Sequence, residues 1–364
     1  MLGVYIHIPF CESKCAYCAF SSFVTAEAEQ EKYVDALTEE IAAFAEEKKD
    51  VDSIYIGGGT PSILSLTLMK KVIDAVKNKF SLKDGCEFTI EANPCSLTEE
   101  ICTFYKENGI NRISLGVQSL DDGQLKFIGR RHNAQMAIDA IKLAKRYFDN
   151  VSCDLLIGLK GMEKQRFLHQ IEILHQLGVK HISAYMLQIE EGTPLYKMVE
   201  KDENILPEDD EAVEVYEAAA EKLKELDFHR YEVSNFAQKG FESYHNYKYW
   251  TGIEYVGFGL GAHSYLNGVR MANASSFKGF YNKELSCLEV LDKKQKLEEH
   301  IMLGLRCKAG ISKIVMKSMG YDIAGNENFQ DFKNQGILVE NGDIITLNPQ
   351  YYGINNYVIV KLLP

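Results

Sequence analysis

An α/β fold built on six parallel strands is the architecture this sequence predicts, and three observations predict it. Short apolar runs alternate with longer amphipathic stretches from residue 4 to about residue 186, a pattern that belongs to parallel strands joined by helical crossovers. The 364-residue length leaves room for two or three domains at roughly 150 residues each. A 46% hydrophobic and 25% charged composition is that of a globular chain with a sizeable core. Six such strands close either as an open doubly wound sheet or as a barrel, complete or partial.

Each element has its own signal. Strand runs fall at 4–8, 53–56, 87–91, 112–117, 151–157 and 181–187. Between the first two, Val34, Leu37, Ile41 and Phe44 recur at spacings of three and four, which stripes one helix face. Val72, Ile73, Val76 and Phe80 do the same before the third strand. Pro207 followed by Glu208, Asp209, Asp210 and Glu211 predicts a helix start, because proline preorganises the first turn and acids favour a helix's positive end. Val213, Tyr216, Ala220 and Leu223 supply that helix's apolar face. Residues 228–285 change character, becoming aromatic-rich, glycine-rich and irregular. Helical patterns return at 297–305 and 312–319, and 338–345 reads as a hairpin turning at Asn341-Gly342. Helices followed by a hairpin predict a small α+β, winged-helix-like domain. The expected division is a core over 1–228, an irregular segment over 229–290 and a C-terminal domain over 291–364.

Charge and hydropathy narrow the function. Forty Lys and Arg against 52 Asp and Glu give a net charge of −12, which argues against nucleic acid as a partner, since that needs a basic face or stripe. The same balance disfavours general attraction to anionic lipid. No apolar run reaches the roughly 18 residues of a membrane span, and residues 1–8 lack the basic start of a signal peptide. The chain therefore reads as cytoplasmic. In that compartment nine cysteines suggest metal, redox or buried thiols rather than a disulfide frame.

Cysteine position matters more than number. Cys86, Cys95, Cys102, Cys153, Cys287 and Cys307 are scattered and read as packing residues, a free cysteine being a small hydrophobe. Cys11, Cys15 and Cys18 crowd into eight residues directly after the first strand. Structural zinc takes four ligands, and His7 would have to leave its strand to serve as the fourth. A [4Fe–4S] cluster usually takes four cysteines; with three, one iron stays open for a small molecule. Further features gather at the same strand ends. Gly57-Gly58-Gly59-Thr60-Pro61 follows the second strand, where glycines let a ligand approach the backbone. Glu91 ends the third strand, Gln118 the fourth, and Asp154 lies in the fifth. Together they occupy the rim where parallel α/β folds bind ligands.

The string Tyr5-x-His7-Ile8-Pro9-Phe10-Cys11-x3-Cys15-x-Tyr17-Cys18 closely resembles the opening of the radical S-adenosylmethionine (SAM) superfamily. It is most similar to the branch holding oxygen-independent coproporphyrinogen III oxidases and haem chaperones. The resemblance covers nearly the whole chain and implies a partial (β/α)6 barrel. It implies a [4Fe–4S] cluster on Cys11, Cys15 and Cys18, with SAM on the open iron. It also implies an electron donor such as flavodoxin or ferredoxin where SAM is cleaved. By resemblance Tyr5, Gly58 and Glu91 surround the cluster-bound SAM, and Tyr17, within the cysteine motif, joins the SAM-binding set. Gly59, Thr60, Gln118, Arg130 and Asp154 match positions that contact a second SAM in the oxidase. Arg130 is chosen over Arg131 by its distance from Gln118.

Two departures separate this chain from the oxidase. Phe20 stands where the oxidase carries another cysteine, and the oxidase has a longer segment before its cluster. A positive signal points the other way. His245-Asn246-Tyr247-Lys248-Tyr249-Trp250 combines a nitrogen that can ligate iron with aromatic faces that can cover a macrocycle. It matches the HNxxYW string of the haem-chaperone branch, which makes His245, Asn246, Tyr249 and Trp250 the candidate haem contacts, with His263 a weaker one. Gly257-x-Gly259-x-x-Ala262 imitates a dinucleotide fingerprint, but the residues after it do not read as a helix. The leading expectation is a haem chaperone that passes haem to haem-requiring proteins, such as respiratory cytochromes, membrane-associated ones included. No catalytic residue is assigned. The alternatives are an anaerobic coproporphyrinogen III oxidase and, as a third class, a zinc-stabilised binding module.

Overall fold

The computed structural model describes residues 1–45 and 48–364. Strands β1 (Leu2–Ile8), β2 (Asp50–Gly58), β3 (Ser81–Ala92), β4 (Arg112–Gln118), β5 (Asn150–Ile157) and β6 (His181–Met186) run parallel in sequential order. Strand β6 does not pair back with β1, so the six form a partial barrel. Its edges are extended by the segment that composition marks as irregular. β7 (His229–Arg230) and β8 (Asn235–Ala237) add antiparallel pairs beside β6, while β9 (Tyr255–Phe258) pairs parallel with β1. β10 (His263–Leu266), β11 (Val269–Asn273) and β12 (Leu285–Val290) complete a twelve-stranded sheet. Residues 229–290 are thus more regular than their composition implies. Their strands are short; β8 and β9 find their partners in β6 and β1, while β7–β8 and β10–β12 pair with their neighbours, β10 and β11 as a hairpin turning at Asn267-Gly268.

Strand alternation explains why a barrel forms rather than a flat sheet. Ile6, Ile8, Ile54, Ile56, Phe88, Ile90, Ile113, Leu115, Val151 and Cys153 belong to the hydrophobic core shared with the surrounding helices. The intervening residues are polar or glycine: Tyr5 and His7, Ser53 and Tyr55, Glu87, Thr89 and Glu91, Arg112 and Ser114, Ser152 and Asp154, His181 and Ser183. Parallel strands covered on both faces read as continuous apolar runs. Here the period is two, so one face meets the helices and the other lines a polar interior.

The helices follow their predicted stripes. Val34, Leu37 and Ile41 are buried on Glu27–Ala43, and Val72, Ile73 and Val76 on Leu66–Lys79. The helix Asp209–Glu225 starts at the acidic run but buries Ala212 and Val215 with Tyr216, Ala220 and Leu223. Val213, expected on that face, is exposed; the adjoining small and branched residues carry the stripe instead. A second core joins Leu297, Ile301, Phe329, Phe332, Ile345 and Val358 in the C-terminal region. There β13 (Ile311–Ser312), β14 (Leu338–Asn341) and β15 (Ile344–Leu347) form a small antiparallel sheet beside helices, including the expected hairpin. All nine cysteines are free thiols; Cys102, Cys153 and Cys307 are fully buried.

The helix Tyr244–Thr251 packs at the N-terminal end of the barrel. Ser243 caps its start and Gly252, at φ 65°, ends it in the left-handed region. Glu87 accepts hydrogen bonds from the backbone N–H groups of Tyr244 and His245, both at 2.9 Å. Lys248 pairs with Asp52, and the two side chains are 1% and 11% exposed; Tyr244 Oη donates to the same carboxylate at 3.0 Å. Removing one partner of a buried pair leaves an uncompensated charge. Lys248→Ala is therefore expected to lower the unfolding free energy by about 3–5 kcal/mol in chemical denaturation. A loss below about 1 kcal/mol, the range of exposed pairs, would show that the pair does not hold the helix.

Candidate cofactor site

The three clustered cysteines lie on the loop after β1, at the C-terminal end of the barrel, and all are half-buried. Backbone hydrogen bonds fasten this loop: Cys11 N to Phe23 O at 2.9 Å, Ala16 N to Ile128 O at 2.9 Å and Leu195 N to Ala16 O at 2.8 Å. Thr60 N also donates to Phe10 O at 2.7 Å, which ties the cysteine loop to the loop after β2. Burial and the neighbouring thiols Cys15 and Cys11 push the Cys18 thiol up.

The glycines after β2 are there for space. A Cβ on Gly59 would stand 2.6 Å from Phe10 O and 3.0 Å from Cys11 Sγ. One on Gly58, at φ +118°, would stand 2.6 Å from the His7 ring. Glu91 closes the floor beside them. Its Oε1 accepts from Tyr55 Oη at 2.8 Å and its Oε2 from Gly58 N at 3.0 Å. Burial raises its pKa to about 7, with Asp154 adding to the rise and Tyr55, Gly58 and Arg112 opposing it.

Eight of the nine residues expected around SAM line one cleft together with Cys11, Cys15 and Cys18: Tyr17, Gly58, Gly59, Thr60, Glu91, Gln118, Arg130 and Asp154. Tyr5 sits beneath it, its ring stacked on Tyr55 at 6.2 Å and its hydroxyl 3.0 Å from His7 Nδ1. Gln118 adopts φ +68° where β4 loses register, a strained conformation of the kind that clusters at functional sites. Arg130 donates to Gly116 O at 2.5 Å and to Cys15 Sγ at 3.5 Å. Arg131 instead pairs with Glu12 at the surface. Burial raises the Asp154 pKa, against the Ser183 hydroxyl, Arg112 and Arg130.

The donor set fits a cluster better than a single ion. His7, the residue considered as a fourth zinc ligand, is occupied at both nitrogens, Nδ1 by Tyr5 and Nε2 by Ser21 O at 2.9 Å. Among the described residues no three His, Cys, Asp or Glu side chains converge closely enough to hold one metal ion. A [4Fe–4S] cluster takes each thiolate on a different iron and needs them spread apart. With three thiolates, one iron would be left for a further ligand. Cys11, Cys15 and Cys18 would hold it, and Gly58, Glu91 and their neighbours would line the space for a polar ligand of that iron.

The HNxxYW segment lies elsewhere, on the helix Tyr244–Thr251 at the opposite end of the barrel. His245 is fully buried. Its Nδ1 is 3.0 Å from Ser53 Oγ and its Nε2 is 2.8 Å from Tyr249 Oη. Burial, followed by the Lys248 charge, lowers its pKa to about 3, so the ring is neutral. Asn246, Tyr249 and Trp250 are half-buried on the same helix. His263 is exposed at the start of β10, and the glycines before it form the turn from β9, with no helix after them. Phe20 is 69% exposed at the cleft mouth.

Two interior residues escaped the sequence reading. Tyr55 was submerged in an apolar-looking strand, yet its hydroxyl holds Glu91. Arg112 is 1% exposed, with Nε and Nη1 unpartnered, on the same face as Ser114. Polar residues at every second strand position were the available signal.

Comparison with known proteins agrees with this geometry. The profile described as "Radical SAM superfamily" matches residues 5–174. The chain is 38% identical over 326 residues to "Heme chaperone HemW" of Bacillus subtilis, spanning 86% of this chain and 85% of that one. It is 34% identical over 369 residues to the protein of that name from Lactococcus lactis, spanning 99% and 97%. The solved structure described as "Coproporphyrinogen III oxidase (HemN) from Escherichia coli is a Radical SAM enzyme" superposes with a TM-score of 0.86. Its identity is 17%, over 100% of this chain and 90% of that one, a likeness of fold alone.

The buried Glu91 carboxyl makes a pH prediction. Its folded pKa lies above the unfolded value of 4.5, so its stabilising contribution is complete below 4.5 and is lost as pH rises through about 7. Relative to wild type, Glu91→Gln should gain roughly 2 kcal/mol of stability between pH 5.5 and 8 in the ligand-free protein. A difference that does not change with pH contradicts a carboxyl whose pKa is raised toward neutrality.

Proposed function

The chain belongs to the radical SAM superfamily and, within it, to the family of the HemW haem chaperones; from that premise we propose that it binds haem and passes it to haem-requiring proteins. Respiratory cytochromes are the recipients in this reading. Similarity to proteins named haem chaperones, along almost the entire chain, is the observation that carries it. The cleft supports the cofactor part: Cys11, Cys15 and Cys18 hold a [4Fe–4S] cluster, which binds SAM at its open iron when loaded. Glu91 and Gly58 hold the polar end of SAM, and Tyr17, Thr60, Gln118, Arg130 and Asp154 enclose the rest.

Haem ligation by His245 needs a second conformation. Both ring nitrogens are engaged in the barrel interior, so the helix Tyr244–Thr251 must leave its seat before Nε2 can reach iron. Asn246, Tyr249 and Trp250 travel with the helix and complete the haem contacts.

The match to the oxidase structure is one of fold alone, and Phe20 opposes the oxidase reading. Anaerobic incubation with SAM, a reductant and coproporphyrinogen III separates the two. The chaperone reading expects about four irons per chain after reconstitution, lost in Cys15→Ala, and no protoporphyrinogen. Formation of protoporphyrinogen overturns it. Haem titration of wild type against His245→Ala should show loss of the Soret change in the variant; an unaltered spectrum excludes His245 as the iron ligand.

A further inference from the structure

We propose that His245 is also a positioning residue for the SAM site, acting on Glu91 through the ring of Tyr55. This rests on the reading of Glu91 as a SAM ligand and deepens it. One carboxylate oxygen of Glu91 is fixed by the backbone at Gly58 and the other only by the Tyr55 hydroxyl. Where that hydroxyl lies depends on the Tyr55 ring. Among the described residues, the ring contacts of Tyr55 are Tyr5, at 6.2 Å and 29°, and His245, at 5.4 Å and 32°.

His245 is itself restrained on four sides. Ser53 holds Nδ1, Tyr249 holds Nε2, Glu87 accepts from its backbone N–H, and Gly3 leaves room for the ring. A Cβ on Gly3 would stand 3.3 Å from His245 Cε1. The residue does not line the cleft; it acts on Glu91 through its neighbours, Tyr55 by ring contact and Tyr249 by the bond to Nε2. Close-packed interiors transmit such shifts because their side chains have few alternative positions. Removing the imidazole leaves a void beside Tyr55, loosens its hydroxyl and withdraws the hydrogen bond that favours the ionised carboxylate. Of the other groups facing Glu91, Asp154, Arg112 and Tyr5 stay in place, while Tyr249 loses its bond to the imidazole.

The test is SAM binding to the cluster-reconstituted full chain, by equilibrium dialysis from pH 6 to 8.5, with iron content confirming that each variant is folded. Tyr55→Phe should weaken SAM by about tenfold, the scale of one hydrogen bond to a charged group, and move the pH midpoint of binding upward. His245→Ala should do the same to a lesser degree. The double variant should be no worse than Tyr55→Phe, since the two act on one interaction. His245→Phe, which keeps a ring against Tyr55, should recover affinity relative to His245→Ala, and it carries the test where the alanine variant fails to hold a cluster. Effects that add, an unmoved pH midpoint in His245→Ala, or a His245→Phe variant that binds SAM no better than Tyr55→Phe, overturn the proposal. Unchanged affinity in Glu91→Gln overturns instead the reading of Glu91 on which it rests.

Discussion

The hydrogen bond from Tyr55 to Glu91 is the interaction on which the rest of the site depends. A carboxyl buried between strands is costly, and this one is offset by two donors rather than by a cation in contact. One donor is the backbone at Gly58, which exists because the loop after β2 carries no side chains there. The other comes from inside the barrel. Cleft and interior are therefore a single structure, and the polar wall of β1–β6 connects the cysteine loop at one end with the helix Tyr244–Thr251 at the other.

That connection gives the helix two roles that compete. Seated, His245 packs on Tyr55 and spends both nitrogens on Ser53 and Tyr249. Free to ligate iron, it must abandon both, and Tyr55 loses one of its two ring contacts. On the proposed reading, haem capture and a fully formed SAM pocket would be opposed states of one element. A buried pair, Lys248 with Asp52, sets how firmly the helix is seated. The same cleft explains why Cys11, Cys15 and Cys18 suit a cluster: they are anchored by backbone bonds to Phe23 and Ile128, while His7 is turned away.

Much of this was legible in the sequence where the signal is local. The Cys11, Cys15 and Cys18 spacing, the glycines at 57–59 and the strand-end Glu91 and Gln118 announce themselves within a few residues. The choice between an open sheet and a barrel was also available, in the polar residues at every second position of β1–β6, but only when all six strands are read together. What could not be read depends on distant partners. Nothing near residue 255 announces pairing with β1, although the Asn267-Gly268 turn between β10 and β11 was a local hairpin signal that the aromatic and glycine-rich composition masked. His245 read naturally as a ligand because sequence cannot show that Ser53, 192 residues away, already occupies one nitrogen. Tyr55 was missed for the converse reason: its hydroxyl matters only because Glu91 stands opposite.

The opposition between the two states can be measured directly. Haem is titrated anaerobically into the cluster-loaded chain at several fixed concentrations of SAM, with the Soret change reporting haem and dialysis reporting SAM. Binding linkage is reciprocal, so each ligand should weaken the other by the same factor. Haem and SAM that bind independently in the wild-type chain would contradict the coupling of the two ends of the barrel.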